Sequence, residues 1–300
     1  MPNHSPLRSA LPLVALLTLV WGTTWVLFPY AVKEVSVWTF RAISITVAGI
    51  SLLAIAALRG LPLSIPRASW PTLVGAALVY LVIWNIASTF AAVLIPSGQA
   101  ALLGFTMPLW VTLVAWAVWG ERPGRRLGLA VALGGVGVGL LMASGLDAYA
   151  RAPLGFALGL LAALGWACGT LLLKRRPIAA PALVHTGWQL LIAAVPISAA
   201  ALYFGDGILF MPTWPSIAVI TYIALMPMAL GNVVWFSIVR VLPVNVAALS
   251  SVMVPVVAMI VGAVVHREPL GLIQLLAMLC CATGLLLALT KPRQMVKTAA

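Results

Sequence analysis

The stretch Pro96–Glu121, PSGQAALLGFTMPLWVTLVAWAVWGE, lies on Pro243–Glu268, PVNVAALSSVMVPVVAMIVGAVVHRE, without a gap. Pro96, Ala100, Ala101, Leu102, Pro108, Val114, Val118 and Glu121 meet identical residues at Pro243, Ala247, Ala248, Leu249, Pro255, Val261, Val265 and Glu268. Carried backwards, the same register pairs Asn85 with Asn232. A self-match of this kind marks an internal repeat and divides the chain into two comparable halves, residues 1–146 and 147–300.

Each matched stretch is one of a series of apolar runs about twenty residues long, the length that crosses ~30 Å of hydrocarbon as a helix. Hydrophobic residues make up 63% of the 300 positions and charged residues 7%, too little polar side chain to coat a water-soluble globule. Prolines and charges divide the first half into Leu11–Tyr30, Val37–Leu58, Trp70–Leu94, Gly98–Trp119 and Leu127–Ala143. They divide the second into Leu154–Leu173, Ala182–Tyr203, Ser216–Val239, Val244–Val265 and Leu270–Thr290. Lipid offers no partner to backbone N–H and C=O groups, so such runs are helices. The run from Leu11 has no small-residue cleavage site and is too long for a signal sequence, so it reads as a span. The expected fold is an all-α membrane protein of ten transmembrane helices. Five spans per half is an odd number, so the halves enter the bilayer in opposite orientation and enclose a central cavity, a plan recurrent in secondary transporters.

Basic residues set the orientation. Arg8, Arg59, Arg67, Arg122, Arg125, Arg126, Lys174, Arg175, Arg176, Arg240, Lys291, Arg293 and Lys297 fall on one side, against Lys33, Arg41, Arg151 and Arg267 on the other. That bias places both termini in the cytoplasm, in a multi-pass protein of a bacterial inner membrane. The net charge of +12 is thereby a topology signal rather than a nucleic-acid surface. Gly134–Gly139 reads GGVGVG, but it sits in an apolar helix with no Lys-Ser/Thr after it, so no nucleotide site is expected. Cys168, Cys280 and Cys281 read as packing residues, and His4, His185 and His266 are scattered among no acids. No metal, cofactor or enzymatic centre is expected, and the partners are the bilayer and a small-molecule substrate, with a monomer as the expected unit.

The deep polar and aromatic residues are the candidate site. Trp21 and Trp25 are four apart on one face of the first span, and Trp166 opens the equivalent stretch of the sixth. With Trp110 and Trp235 they form an expected aromatic lining, while packing against lipid is the plainer alternative for each. Asn85, Asn232 and Tyr80 offer donors and acceptors to a zwitterion, or else bond neighbouring helices. Arg41 is read as snorkelling towards the outer face, with an electropositive mouth as the alternative. Pro108 and Pro255 are expected to kink the fourth and ninth spans in mid-helix and serve as bending points. Gly135 with Gly139, Gly155 with Gly159, and Gly165 with Gly169 are expected close-contact faces. All five acids, Glu34, Glu121, Asp147, Asp206 and Glu268, fall at span ends or in loops, so the expected mechanism is facilitation rather than proton coupling.

The Trp21-Gly22 pair, Arg41, the prolines Pro108 and Pro255, and the closing Glu121 and Glu268 resemble the EamA-type repeat of the drug/metabolite transporter superfamily. The resemblance spans nearly the whole chain. It implies a ten-helix exporter of metabolites, amino acids among them, and the tryptophan-rich interior is similar to that of aromatic amino acid exporters. Gly187-Trp188-Gln189 stands where the first half has Phe40-Arg41-Ala42, so the second half departs from the pattern there. Export of organic cations or drugs, which tryptophan faces would also hold, and a channel-like protein stay open as alternatives.

Overall fold

The computed structural model describes residues 6–95, 97–143, 146–206, 212–266 and 271–289. Pro96, Arg267, Glu268, Lys291, Arg293 and Lys297, used in the sequence reading, lie outside the described residues, as does the side chain of Trp25. The helices are α1 (Pro6–Ala31), α2 (Val37–Leu58), α3 (Arg67–Leu94), α4 (Ser97–Gly104), α5 (Met107–Trp119), α6 (Arg125–Ala143) and a short α7 (Leu146–Arg151). Then follow α8 (Pro153–Arg175), α9 (Ala182–Phe204), α10 (Trp214–Val241), α11 (Val244–Ser250), α12 (Met253–His266) and α13 (Leu272–Leu289). No strand occurs among the described residues. Among the described residues, seven helical segments are long and apolar enough to cross a bilayer: α2, α3, Gln99–Trp119, α6, α8, α9 and α10. Three shorter apolar runs, Leu11–Thr24, Val246–Ala258 and Leu275–Ala288, lie within α1, across α11 and α12, and within α13.

The two halves pack on each other by one scheme. α2 lies along α9 and α6 along α13; α8 packs on α3, α4 and α5, and α1 packs on α10 and α12. Exchanging first-half elements for their second-half counterparts returns these pairs, except that α4–α8 has no counterpart of the same weight at α1–α11. Van der Waals packing drives helix association in lipid, so close crossings need small residues. At the α2–α9 crossing a methyl group on Gly187 would sit 2.8 Å from Leu53 Cδ2 and 3.3 Å from the Gly49 carbonyl, and one on Gly49 would press equally on Leu191 and Gly187. At the α6–α13 crossing Gly137 meets the Ala277 carbonyl and Gly284 the Ala130 carbonyl, at 2.9 and 2.8 Å from where a Cβ would stand. The expected Gly135–Gly139 face is not this contact, since Gly139 faces open space. The other two expected faces are close contacts: Gly159 lies against Leu103, and Gly165 and Gly169 against Val79 and Tyr80.

The fourth and ninth spans are broken rather than bent. α4 gives way to α5 at Phe105–Thr106, and α11 to α12 at Ser251–Val252. The chain crosses each break through tight i→i+3 bonds, Thr106 N to Leu103 O at 3.1 Å and Val252 N to Leu249 O at 3.1 Å. Thr106, Ser250 and Ser251 fold their hydroxyls back onto Leu103, Ala247 and Ala248 carbonyls. Pro108 and Pro255 therefore stand in the first turn of α5 and α12, where a missing N–H leaves no bond unmade. The mid-helix kink expected of them is displaced to the break that precedes them.

Candidate functional site

Two six- to eight-residue stretches of π-helix interrupt α3 at Ala77–Val82 and α10 at Ala224–Gly231, in the register that pairs Asn85 with Asn232. A π-turn widens the helix and displaces carbonyls from the regular ladder, and such turns concentrate at functional sites. The asparagine that follows each one takes up a displaced carbonyl: Asn85 Nδ2 donates to Leu81 O and Asn232 Nδ2 to Met228 O, both at 2.7 Å. These bonds fix the amide orientation, so each Oδ1 points elsewhere. Asn232 Oδ1 accepts the Tyr80 hydroxyl at 2.9 Å. Asn85 Oδ1 is buried and has no partner among the described residues.

The tryptophans gather on Trp166 of α8. Its ring stands edge-on to Trp21 at 5.0 Å, to Trp84 and Tyr80 at 4.4 Å each, and to Trp235 at 5.7 Å. Trp21 is anchored by its Nε1 to the Pro227 carbonyl at 3.1 Å, an oxygen that the second π-stretch turns inward. Trp166 Nε1 and Trp235 Nε1 are buried without partners among the described residues. Trp110 does not join the cluster; it bonds Thr106 Oγ1 within its own break at 3.2 Å.

A cavity of about 70 Å³ lies between the halves. Trp21, Trp84, Asn85, Trp166 and Asn232 line it, with the ends of the broken helices at Gly104, Phe105, Met107 and Ser251. Trp235 and Tyr80, both fully buried, stand behind this wall rather than in it. At ~10–15 Å³ per water the space holds about five waters, so an indole-sized ligand requires it to widen.

Arg41 also lines the cavity, and here the snorkelling expectation fails. Only 8% of Arg41 is exposed. Its Nε donates to Thr89 Oγ1 at 2.7 Å, and that hydroxyl donates to the Asn85 carbonyl at 2.5 Å. Arg41 shares the inward face of α2 with Ser44 and Ile45, so its stem leads into the protein rather than along it. Ser88, one turn beyond Asn85, adds a buried hydroxyl with no partner among the described residues. Sequence reasoning held Arg41 as part of an electropositive mouth only as the alternative to snorkelling, and it missed Ser88 as a lining residue. The available signal was a cation within a span, which is a functional position by default.

The lining is thus a guanidinium and an indole N–H that donate, an amide oxygen that accepts, a hydroxyl able to do either, and aromatic faces. No carboxylate is among the residues that line it, and no group of side chains that could hold a metal ion is found among the described residues. Beyond the cavity, the α1–α2 loop is tied to the start of α10. Glu34 accepts from Ser216 Oγ at 2.5 Å and from Thr213 N and Oγ1, and these donors hold its carboxyl below the usual carboxylate range. At the other end Arg175 pairs with Glu121 and lies 3.8 Å over the Trp119 ring.

Comparison with known proteins bears on this arrangement. The profile described as the EamA-like transporter family matches residues 8–143 and again 153–290. The chain is 25% identical to the uncharacterized transporter YvbV of Bacillus subtilis (strain 168) over 286 residues, which cover 95% of this chain and 93% of that one. It is 29% identical to a protein of Escherichia coli (strain K12) named "Probable amino-acid metabolite efflux pump", over 63% of this chain and 66% of that one. A crystal structure 20% identical in sequence superposes with a TM-score of 0.77, covering 94% of this chain and 96% of its own, a likeness of fold.

Proposed function

The chain belongs to the EamA-like transporter family, and from that premise we propose that it exports amino acids, aromatic and other neutral ones, or similar zwitterionic metabolites. Ten spans in two halves of opposite orientation, with both termini in the cytoplasm of a bacterial inner membrane, are the topology that goes with this reading. The positive-inside bias of the sequence and the pairing of helices between halves support it.

The observation that carries the substrate class is the pairing of the Arg41 guanidinium with the unpartnered Asn85 Oδ1 in one aromatic-walled cavity. A buried acceptor left unmatched costs ~1–3 kcal/mol, which water or a ligand donor relieves. An α-ammonium meets Asn85 Oδ1 and Ser88 Oγ, the carboxylate meets Arg41 and Trp166 Nε1, and the side chain lies against Trp21 and Trp84. A bare organic cation would meet the like charge of the Arg41 guanidinium in the lining, which disfavours the drug-export alternative. With no carboxylate in the lining, no group there alternates between proton and substrate, in keeping with facilitated movement down a gradient. The broken spans α4–α5 and α11–α12 supply the freedom to widen the cavity and alternate its access.

Counterflow of radiolabelled tryptophan or phenylalanine in proteoliposomes, with and without a pH gradient, tests this. Saturable exchange indifferent to the gradient is expected. Competition by tryptophan amide or tryptamine equal to that by tryptophan itself would sink the zwitterion assignment, and uptake beyond equilibrium under the gradient would sink facilitation.

A further inference from the structure

A second cavity, of about 370 Å³, lies at the other end of α8, α9 and α10. Its walls are Lys174, His185 and Arg240 over an apolar floor of Ile178, Phe236 and Val239, with no acid among the lining residues. Lys174 Nζ gives two of its three hydrogens to the Val239 and Leu242 carbonyls, at 2.7 and 2.8 Å, which satisfies the end of α10 and leaves one donor over. Arg240 is exposed and has no carboxylate partner among the described residues, and Glu121 is held by Arg175 instead. His185 is 5% exposed and its Nδ1 has no partner among the described residues. A cavity with two cations, an unsatisfied imidazole and no acid is electrostatically incomplete, and an anion completes it.

This cavity stands in series with the central one. His185 lies 5.3 Å from Phe236, Phe236 lies 5.5 Å from Tyr80, and Tyr80 lies 4.4 Å from Trp166, which lines the central cavity. One aromatic layer separates the two. We propose that this second cavity, walled by Lys174, His185 and Arg240, is a further binding site, which takes a small carboxylate from the aqueous phase. The donor set, one ammonium hydrogen, one guanidinium fork and one imidazole, suits the two oxygens of a carboxylate, and Phe236 and Ile178 suit an apolar group attached to it. That the carboxylate belongs to the solute being exported rests on the function proposed above; that the cavity binds a carboxylate does not.

The test is histidine ring-carbon NMR of the full chain in lipid nanodiscs, where only three histidines report. His4→Gln and His266→Gln variants assign the His185 signal. Acetate is titrated against chloride at constant pH and ionic strength, in discs of phosphatidylcholine alone and in discs containing phosphatidylglycerol. The expected result is a saturable shift of His185 with acetate in both discs, weakened roughly three- to five-fold in Arg240→Gln, which removes one exposed charge. A His185 signal indifferent to acetate, or one that moves only when phosphatidylglycerol is introduced, would overturn the proposal, the latter by assigning the cavity to a lipid phosphate. An unchanged acetate affinity in Arg240→Gln would overturn it too. Because this readout needs no transport, it can succeed where tryptophan counterflow fails, and the reverse.

Discussion

Asn85 and Asn232 occupy equivalent places in the two halves, Asn85 three residues beyond its π-stretch and Asn232 directly after the other, each donating to the carbonyl four residues back. Beyond those shared bonds their surroundings diverge. Asn232 also lines the cavity, but its Oδ1 is already taken, because Tyr80 reaches across from α3 to donate to it. No tyrosine returns the contact to Asn85, since the residue matching Tyr80 in the second half is Pro227. Arg41 likewise has no twin, and Trp188 at the matching place bonds the Leu63 carbonyl instead of turning into the cavity. The repeated residues set the backbone: widened turns, broken spans and crossing helices. The unrepeated ones make the cavity lopsided, with the polar site on the first half and a sealed contact on the second.

The hardest blow to that asymmetry is Arg41→Gln. It removes the guanidinium while leaving an amide able to donate to Thr89, and the loss of a buried charge-assisted contact of ~2–3 kcal/mol corresponds to roughly 30- to 150-fold weaker exchange. Counterflow should fall by that much for tryptophan while inhibition by tryptophan amide is little changed. Equal loss for both would show that Arg41 serves the fold rather than the carboxylate. The matching change in the other half, Trp188→Gln, should leave the substrate preference as it was.

Next in size is the contrast between the two asparagines. Asn232→Leu orphans the Tyr80 hydroxyl in a fully buried place and should lower stability by ~1–3 kcal/mol, read as a drop in the thermal midpoint in detergent. Asn85→Leu deprives no other side chain of its partner, so its midpoint should move less while counterflow falls roughly ten-fold for the lost ammonium contact. Tyr80→Phe, which removes one neutral hydrogen bond, should cost ~1 kcal/mol and free Asn232 Oδ1. If the two asparagine variants behave alike, the halves are functionally symmetric and the lopsided reading fails.

The helices and the repeat were legible in the sequence because lipid leaves few alternatives: an apolar run of sufficient length must be a helix, and a gapless self-match must be a repeat. The breaks were half legible. Pro108 and Pro255 pointed to the right part of each span, but a proline tolerated in a first turn and one that kinks a helix look the same in one dimension. The π-stretches were not legible, since ALVYLV and ALMPMALG share no pattern that demands a wider turn and only Pro227 hints at a lost bond. Arg41 was misread because snorkelling depends on which way the stem points, and that is decided by the packing of α2 on α9 rather than by depth along the span. Among the tryptophans, sequence depth brought Trp21 and Trp166 to the wall but could not separate them from Trp110, whose own break captures its N–H.

The smallest effect expected lies outside the membrane, where Glu34 in the first half reaches Thr213 and Ser216 in the second. Its carboxyl is held below its ordinary value first by the Ser216 hydroxyl and then by Thr213, so the contact favours the charged form. A group with a depressed folded-state pKa lends stability that is fully present above its unfolded value, about 4.3, and is lost as the pH falls through the lower folded value. The thermal midpoint of the protein should therefore slope downward with acid below about pH 4–5, and Glu34→Gln should flatten part of that slope while leaving the midpoint near neutral pH slightly reduced. Because the carboxylate is exposed, water competes for the same lone pairs and the change should be small beside those at Asn232 and Arg41. An acid slope identical in the variant would mean that the Glu34 contact between halves contributes nothing to the folded state, and that the halves are held by their helix crossings and by the neighbouring bond from Ser36 N to Asp206.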